Sequence, residues 1–353
     1  EPDFDTPAHV RAAATAAIAA GLTRYTPVEG TAELKAAVMA KFRRENGLDY
    51  GADQVVASCG AKQLCFNLAM AVLNPGDEAI IPAPYWVSYP DMVRLAEAEP
   101  VIVAAGMAEG FKVTPRALRA ALTPRTRLVF INSPCNPTGA VYSRAELQAL
   151  GAVLGEFPNV VIAADDIYEH ISWTAEPFTS FAAACPDLLG RTVTINGVSK
   201  CYAMTGWRIG YAGGPAPLIA AMKKLQGQST SNPCSVSQAA AVAALEGDQS
   251  CVREMAGAFR ARHDFIVAAL NDVPGFRCAP AEGAFYAFPE VSEAIRARGL
   301  ADDTAFAELL LERADVAVVP GSAFGAPGHV RLSYACGLDR LREGVERIRR
   351  ALA

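Results

Sequence analysis

Hydrophobic residues along this chain follow two rhythms. Between residues 55 and 214, short continuous apolar runs rich in Val and Ile fall at 54–58, 78–82, 101–105, 128–132, 160–164, 193–196 and 209–212. Runs of this length without polar alternation are what strands covered on both faces require. The stretches between them read as helices with recognisable starts. Thr114-Pro115 supplies an N-cap followed by proline in the first turn, and Ser143-x-x-Glu146 is a capping box. Seven strands alternating with helices predict an α/β fold, a mostly parallel seven-stranded sheet with helices on both faces.

Beyond residue 240 the rhythm changes. A helical stretch at 253–271 leads into Gly283-Ala-Phe-Tyr-Ala-Phe288, then strand-like runs at 316–320 and 329–334, and an amphipathic helix after Asp339. This pattern predicts a smaller α+β domain. The expected division is a large domain over 22–240 and a small one built from 1–21 and 241–353. The Ala-rich segment 12–20 reads as plain helix, packed on the small domain. No internal repeat is visible.

Composition narrows the function. With 353 residues, 52% hydrophobic and 20% charged, the chain has enough apolar material for two cores. The net charge of −5 is mild and the basic residues are scattered, so nucleic acid is a poor partner. The nine cysteines include no Cys-x-x-Cys pair and stand beside only four histidines. Zinc and a disulfide framework are therefore disfavoured, and reduced thiols of a cytoplasmic protein are expected. No apolar run approaches the roughly 20 residues of a membrane span. The chain starts at Glu1 with neither signal peptide nor initiator methionine, as expected if it begins inside a longer protein.

The candidate chemistry gathers just after the apolar runs, at Gly60, Asn136, Asp165 and Lys200, the edge where open α/β sheets bind ligands. Lys200 ends a strand, and Arg208 follows in a glycine-flanked turn between Gly206 and Gly210. A partly desolvated lysine has a lowered pKa and becomes a Schiff-base nucleophile, while an arginine fork suits a phosphate. One cofactor needs both: pyridoxal 5′-phosphate. Gly60-Ala61-Lys62 opens a helix after the first strand, so its backbone N–H groups form an anion site beside Arg208.

Gly197-Val-Ser-Lys200-Cys-Tyr-Ala-Met-Thr-Gly-Trp-Arg208-Ile-Gly210 resembles the cofactor-attachment signature of the class I pyridoxal-phosphate-dependent aminotransferases. Asn136-Pro-Thr-Gly139, Asp165-Asp-Ile-Tyr168 and Tyr25-Thr-Pro-Val-Glu-Gly30 resemble further motifs of that family, in its order. The resemblance runs from Glu1 to Arg331. It is closest to the bacterial aspartate aminotransferase subgroup, which carries the Ala-Pro-Tyr-Trp-Val-Ser-Tyr-Pro segment found here at 83–90.

The resemblance implies a fold-type I transferase and a role for each motif residue. Lys200 is the catalytic lysine. Asp165 sits at the cofactor's ring nitrogen, Tyr168 and Asn136 at its phenolic oxygen, and Trp86 on its face; Asp166 is left as a helix cap. Gly60, Ala61 and Arg208 take the phosphate. Arg331 pairs with the substrate α-carboxylate. Lys62 either meets the distal carboxylate of a dicarboxylic substrate, serves the phosphate, or stays solvated. Tyr25 reaches the neighbouring subunit's cofactor, which implies a homodimer with shared sites. The expected reaction moves an amino group between aspartate and 2-oxoglutarate in a ping-pong cycle. Prephenate transamination, a β-lyase and a non-catalytic cofactor-binding regulator are the alternatives. The resemblance also implies a substrate-entrance segment before Glu1, and a stretch at 294–302 shorter than in many relatives.

Overall fold

The computed structural model describes residues 1–353. All seven apolar runs form strands: β1 Val55–Ser58, β2 Glu78–Ala83, β3 Glu99–Ala104, β4 Thr126–Asn132, β5 Val161–Asp165, β6 Thr192–Gly197 and β7 Gly210–Gly213. They make one sheet in the order β1-β7-β6-β5-β4-β2-β3. Burial on both faces is visible within a single strand. Leu128 and Phe130 of β4 join a core cluster with Leu64 and Met222, while Val129 and Ile131 join another with Leu147 and Leu154. The helix starts hold too: Thr114 Oγ1 accepts from Ala117 N at 3.2 Å, and Ser143 and Glu146 cap each other.

The sheet is mostly parallel, as expected, and one strand departs from that pattern. β7 runs antiparallel to both β6 and β1, whereas the other neighbouring pairs are parallel. Because β7 runs backward, the residue entering it lies at the edge where the parallel strands end.

A smaller antiparallel sheet, β8 Tyr286–Ala287, β9 Val319–Pro320 and β10 Val330–Ser333, has the order β8-β10-β9. Helices Ser250–Asn271 and Leu338–Ala351 share its core of Phe259, Phe285, Val330 and Val345. The run at 316–320 yields only two paired residues, because Pro320 has no N–H and the chain turns at once into Gly321–Phe324.

Residues 1–21 do not pack on the small domain as a unit. Asp3 pairs with Arg262, and Phe4 meets Phe259 edge-on at 5.5 Å, both on helix Ser250–Asn271. Helix Ala8–Ala19 instead joins the cluster of Leu34, Val38, Tyr211 and Ala240, and so belongs with the large sheet. Its Val10 and Ala14 face small residues of helix Ser235–Glu246, which lets the two helices approach closely. No helix is long and apolar enough to cross a membrane.

Candidate active site

Strand direction assembles the site. β2, β4, β5 and β6 all end at one edge of the sheet, delivering Trp86, Asn136, Asp165 and Lys200 respectively; β7 starts there and delivers Arg208. β10 of the small sheet supplies Arg331. With Ala61, Lys62 and Tyr168, these residues line one cavity of about 390 Å³. That volume lies in the range of cofactor and ligand pockets.

One end of the cavity is built from backbone. Helix Ala61–Val72 begins directly after Gly60, with no side chain capping its first N–H groups. Those donors and the positive end of the helix dipole are open to an anion. Gly60 holds φ +88°, and a Cβ there would strike the Arg208 guanidinium; a Cβ on Gly210 would strike Ala61 N. Both glycines are thus needed for the approach of β7 to the helix start. Arg208 sits in the left-handed region at φ 57°, exposed, with its guanidinium donating to Thr205 O at 2.8 Å and Cys59 O at 3.2 Å.

Lys200 lies in the middle. Its Nζ stands 5.8 Å from the Tyr168 ring centroid and 5.9 Å from that of Phe285. Burial, reinforced by the Arg208 cation, holds its pKa below the ordinary lysine value. Asp165 is buried, and burial pushes its carboxyl up despite a 2.6 Å hydrogen bond from Tyr89 OH and one from Ile167 N at 3.3 Å. It is a carboxylate short of a cation. Tyr168 OH and Tyr286 OH lie 2.9 Å apart, and burial pushes the Tyr168 phenol well up, so its proton stays on at neutral pH.

At the far wall, Arg331 Nη1 donates to Asn136 Oδ1 at 2.8 Å, and its guanidinium lies 4.6 Å from the Tyr286 ring and 4.8 Å from that of Phe324. Its Nε is buried and has no partner. Arginine held between two rings, with no carboxylate, is a ready site for one. Lys62 is exposed at the mouth, its Nζ 5.1 Å from the Trp86 ring.

The structure therefore brings together every residue expected at the cofactor except Tyr25. That side chain is 93% exposed and lines a different hollow beside Leu22 and Arg24. Sequence reasoning passed over Tyr286 and Tyr89. Both hydroxyls point at site residues, and the only signal was a tyrosine within an apolar run. Tyr286 reaches Arg331's neighbourhood because β8 pairs with β10, opposite Ser333.

The model of the family described as aminotransferase class I and II matches residues 1–348. This chain belongs to that family. It is 55% identical to an aspartate/prephenate aminotransferase of Nitrosomonas europaea over 99% of this chain and 89% of that protein. The crystal structure of an aspartate aminotransferase from Rhizobium meliloti superposes with a TM-score of 0.95 at 50% identity, covering 100% of this chain and 89% of that one. An aspartate aminotransferase from Thermus thermophilus with maleate gives 0.94 at 44%, covering 99% and 90%. The fold is thus that of a fold-type I transferase, and this aminotransferase is a pyridoxal-phosphate enzyme. The geometry fits that group: an uncapped helix start beside Arg208 with no room for a Cβ at Gly60 or Gly210, an unpaired buried guanidinium edge, an amine of lowered pKa, and a buried carboxylate lacking a cation.

Proposed function

We propose that the enzyme exchanges an amino group between aspartate and 2-oxoglutarate. The observation that carries the reading is the pair of cations flanking Lys200, Arg331 with its free Nε on the inner wall and Lys62 at the mouth. Two separated cations suit an amino acid with two carboxylates. The names of the relatives and the maleate, a dicarboxylate, in the Thermus thermophilus structure support it. Prephenate, also a dicarboxylic oxo acid, is kept as the second acceptor because the Nitrosomonas europaea relative is named for it.

In this reading Lys200 Nζ would hold the cofactor, Gly60, Ala61 and Arg208 its phosphate, Asp165 its ring nitrogen, Asn136 and Tyr168 its phenolic oxygen, and Trp86 its face. Bound pyridoxal phosphate supplies a carbonyl that takes up the amino group and a ring that draws electrons from the substrate's α-carbon. Arg331 fixes the α-carboxylate by a charge-assisted fork, which turns the α-hydrogen toward Lys200. Lys200 Nζ, left unprotonated by its lowered pKa, takes the α-proton and later returns one as an acid. Tyr168 keeps its proton and donates a hydrogen bond. Asp165 would hold the ring nitrogen in its protonated form, supplying the partner its buried carboxylate lacks. Lys62 meets the distal carboxylate.

The exposed Tyr25 is assigned to the cofactor phosphate of a second copy, making a homodimer with shared sites in a cytoplasmic enzyme. The domain division is proposed at 22–240 against 241–353, with the first residues bridging the two. The test is half-reaction kinetics of the holoenzyme. Aspartate followed by 2-oxoglutarate should run the full ping-pong cycle, with prephenate measured beside it. Pyruvate and ammonia released from cysteine-type substrates in place of exchange would defeat the reading.

A further inference from the structure

Behind the cavity lies a second polar cluster that the reaction does not use. Lys41, at the end of helix Ala32–Lys41, is fully buried and pairs with Glu169, itself 6% exposed. Glu169 Oε2 accepts from Asn46 Nδ2 at 2.7 Å, and Oε1 from Asn196 Nδ2 at 2.8 Å. Lys41 Nζ also donates to Asn46 Oδ1 at 2.7 Å and lies 3.5 Å from Glu45 Oε2. His170 closes the ring, 2.8 Å from Glu45 Oε2. Glu45, Glu169 and His170 are spaced closely enough to hold a metal ion, but the Lys41 ammonium already supplies the cation there.

The cluster's connections are what matter. Glu169 is the residue after Tyr168, and its N–H donates to Asp166 O at 2.9 Å. Asp166 N in turn donates to Ile195 O of β6 at 2.9 Å. Asn196 is 1% exposed and bonds within the protein: its amide donates to Glu169, and its Oδ1 accepts from Gly197 N at 2.7 Å, three residues before Lys200. One side chain thus ties the turn bearing Asp165 and Tyr168 to the loop bearing Lys200. Lys41 and Asn46 hold the carboxylate on which that tie depends. A buried carboxylate with every oxygen satisfied by fixed donors is rigid, because any displacement leaves a buried polar group unpaired.

We propose that Glu169 is a positioning residue which, through Asn196, sets the distance between the Asp165–Tyr168 turn and the Lys200 loop. The proposal rests on the reading that Tyr168 and Lys200 serve the bound cofactor. Its test uses the holoenzyme and an Asn196→Ala variant, which breaks the tie while leaving Glu169 paired with Lys41. The readouts are the pH midpoint of the cofactor's absorbance change, kcat and KM for aspartate, and the melting temperature.

A loosened Tyr168 donates less to the phenolic oxygen, so the midpoint should rise by about half a pH unit or more. kcat should fall about tenfold while KM for aspartate stays within about threefold. A lowered melting temperature with unmoved midpoint and kcat makes the cluster structural only and overturns the proposal. If Asn196→Ala does not fold, the pair Lys41→Met with Glu169→Leu, which removes the acceptor of Asn196 without leaving a buried charge, is read the same way. Failure of both to fold assigns the cluster to folding and also overturns it. A wild-type absorbance that ignores aspartate sinks the underlying reading instead.

Discussion

Two lysines touch the same turn and have opposite fates. Lys41 is buried among Glu169, Glu45 and Asn46, and its ammonium is met by carboxylate and amide oxygens. Lys200 has no carboxylate at hydrogen-bond distance; it faces two aromatic rings, and its nearest strong influence after burial is the like charge of Arg208. The same side chain is inert where its charge is satisfied and reactive where it is not. The carboxylates repeat the lesson. Glu169 is held below the ordinary range, since Lys41 and His170 outweigh its burial, while burial wins at Asp165. What separates the two clusters here is partner supply rather than residue type.

That contrast is open to attack from both sides. Lys200→Ala should abolish transamination, lowering kcat by about 10⁴-fold or more, since nucleophile and proton carrier are lost together; a variant that still turned over would end the mechanism. Removing Arg331 should cost about 2–5 kcal/mol in kcat/KM for every amino-acid substrate, whereas Lys62→Ala should penalise dicarboxylic substrates alone. Equal losses for aspartate and a monocarboxylic amino acid in Lys62→Ala would place Lys62 on the phosphate. On the other side, Lys41→Met removes the ammonium from a buried carboxylate, leaving only Asn46, Asn196 and His170 around it, and should destabilise by about 3 kcal/mol. The Lys41→Met, Glu169→Gln pair should recover much of this in denaturant melts, and a double variant no better than the single one would show the charges are not a unit.

The smallest expected effect is on pH. Burial works against a charged His170, but Glu169, then Cys201 and the hydrogen bond to Glu45, raise its pKa to about 10. A raised value means the stabilisation is complete below the ordinary 6.5 and is lost as pH climbs toward about 10. Glu45 is opposite: His170 and Lys41 overcome its burial and pull it to about 2, so its contribution holds above the ordinary 4.5 and fades as pH falls toward about 2. The melting temperature should therefore decline from pH 6.5 upward, and His170→Asn should flatten that alkaline limb. An unsloped wild-type limb would mean His170 is neutral.

The large sheet was legible because its strands are buried on both faces, which forces continuous apolar runs such as 128–132. The site was legible because Gly60, Asn136, Asp165, Lys200 and Arg208 sit within a few residues of strand ends, where local sequence reveals position. The inert cluster was not. Lys41, Glu169 and Asn196 come from a helix, a turn and a strand far apart in sequence, and none stands in a pattern that marks burial; a lysine ending a helix reads as solvated. Tyr286 was hidden likewise, since its place at the site depends on β8 pairing with β10. The first helix misled through composition. Its alanine face fits any close neighbour, and only the packing shows that the neighbour is Ser235–Glu246, the helix at the proposed domain boundary.

Because β7 runs against its neighbours, Ser58 and Gly210 meet at the end of a four-residue ladder, and the phosphate cradle hangs from that end. A dianion that met both Gly60–Ala61 and Arg208 would therefore be a stitch between an early segment of the chain and a late one. Whatever binds only the closed edge draws the open form back in proportion to its free concentration. An anion bound at that end would therefore also fasten the edge strand β1 to its neighbour.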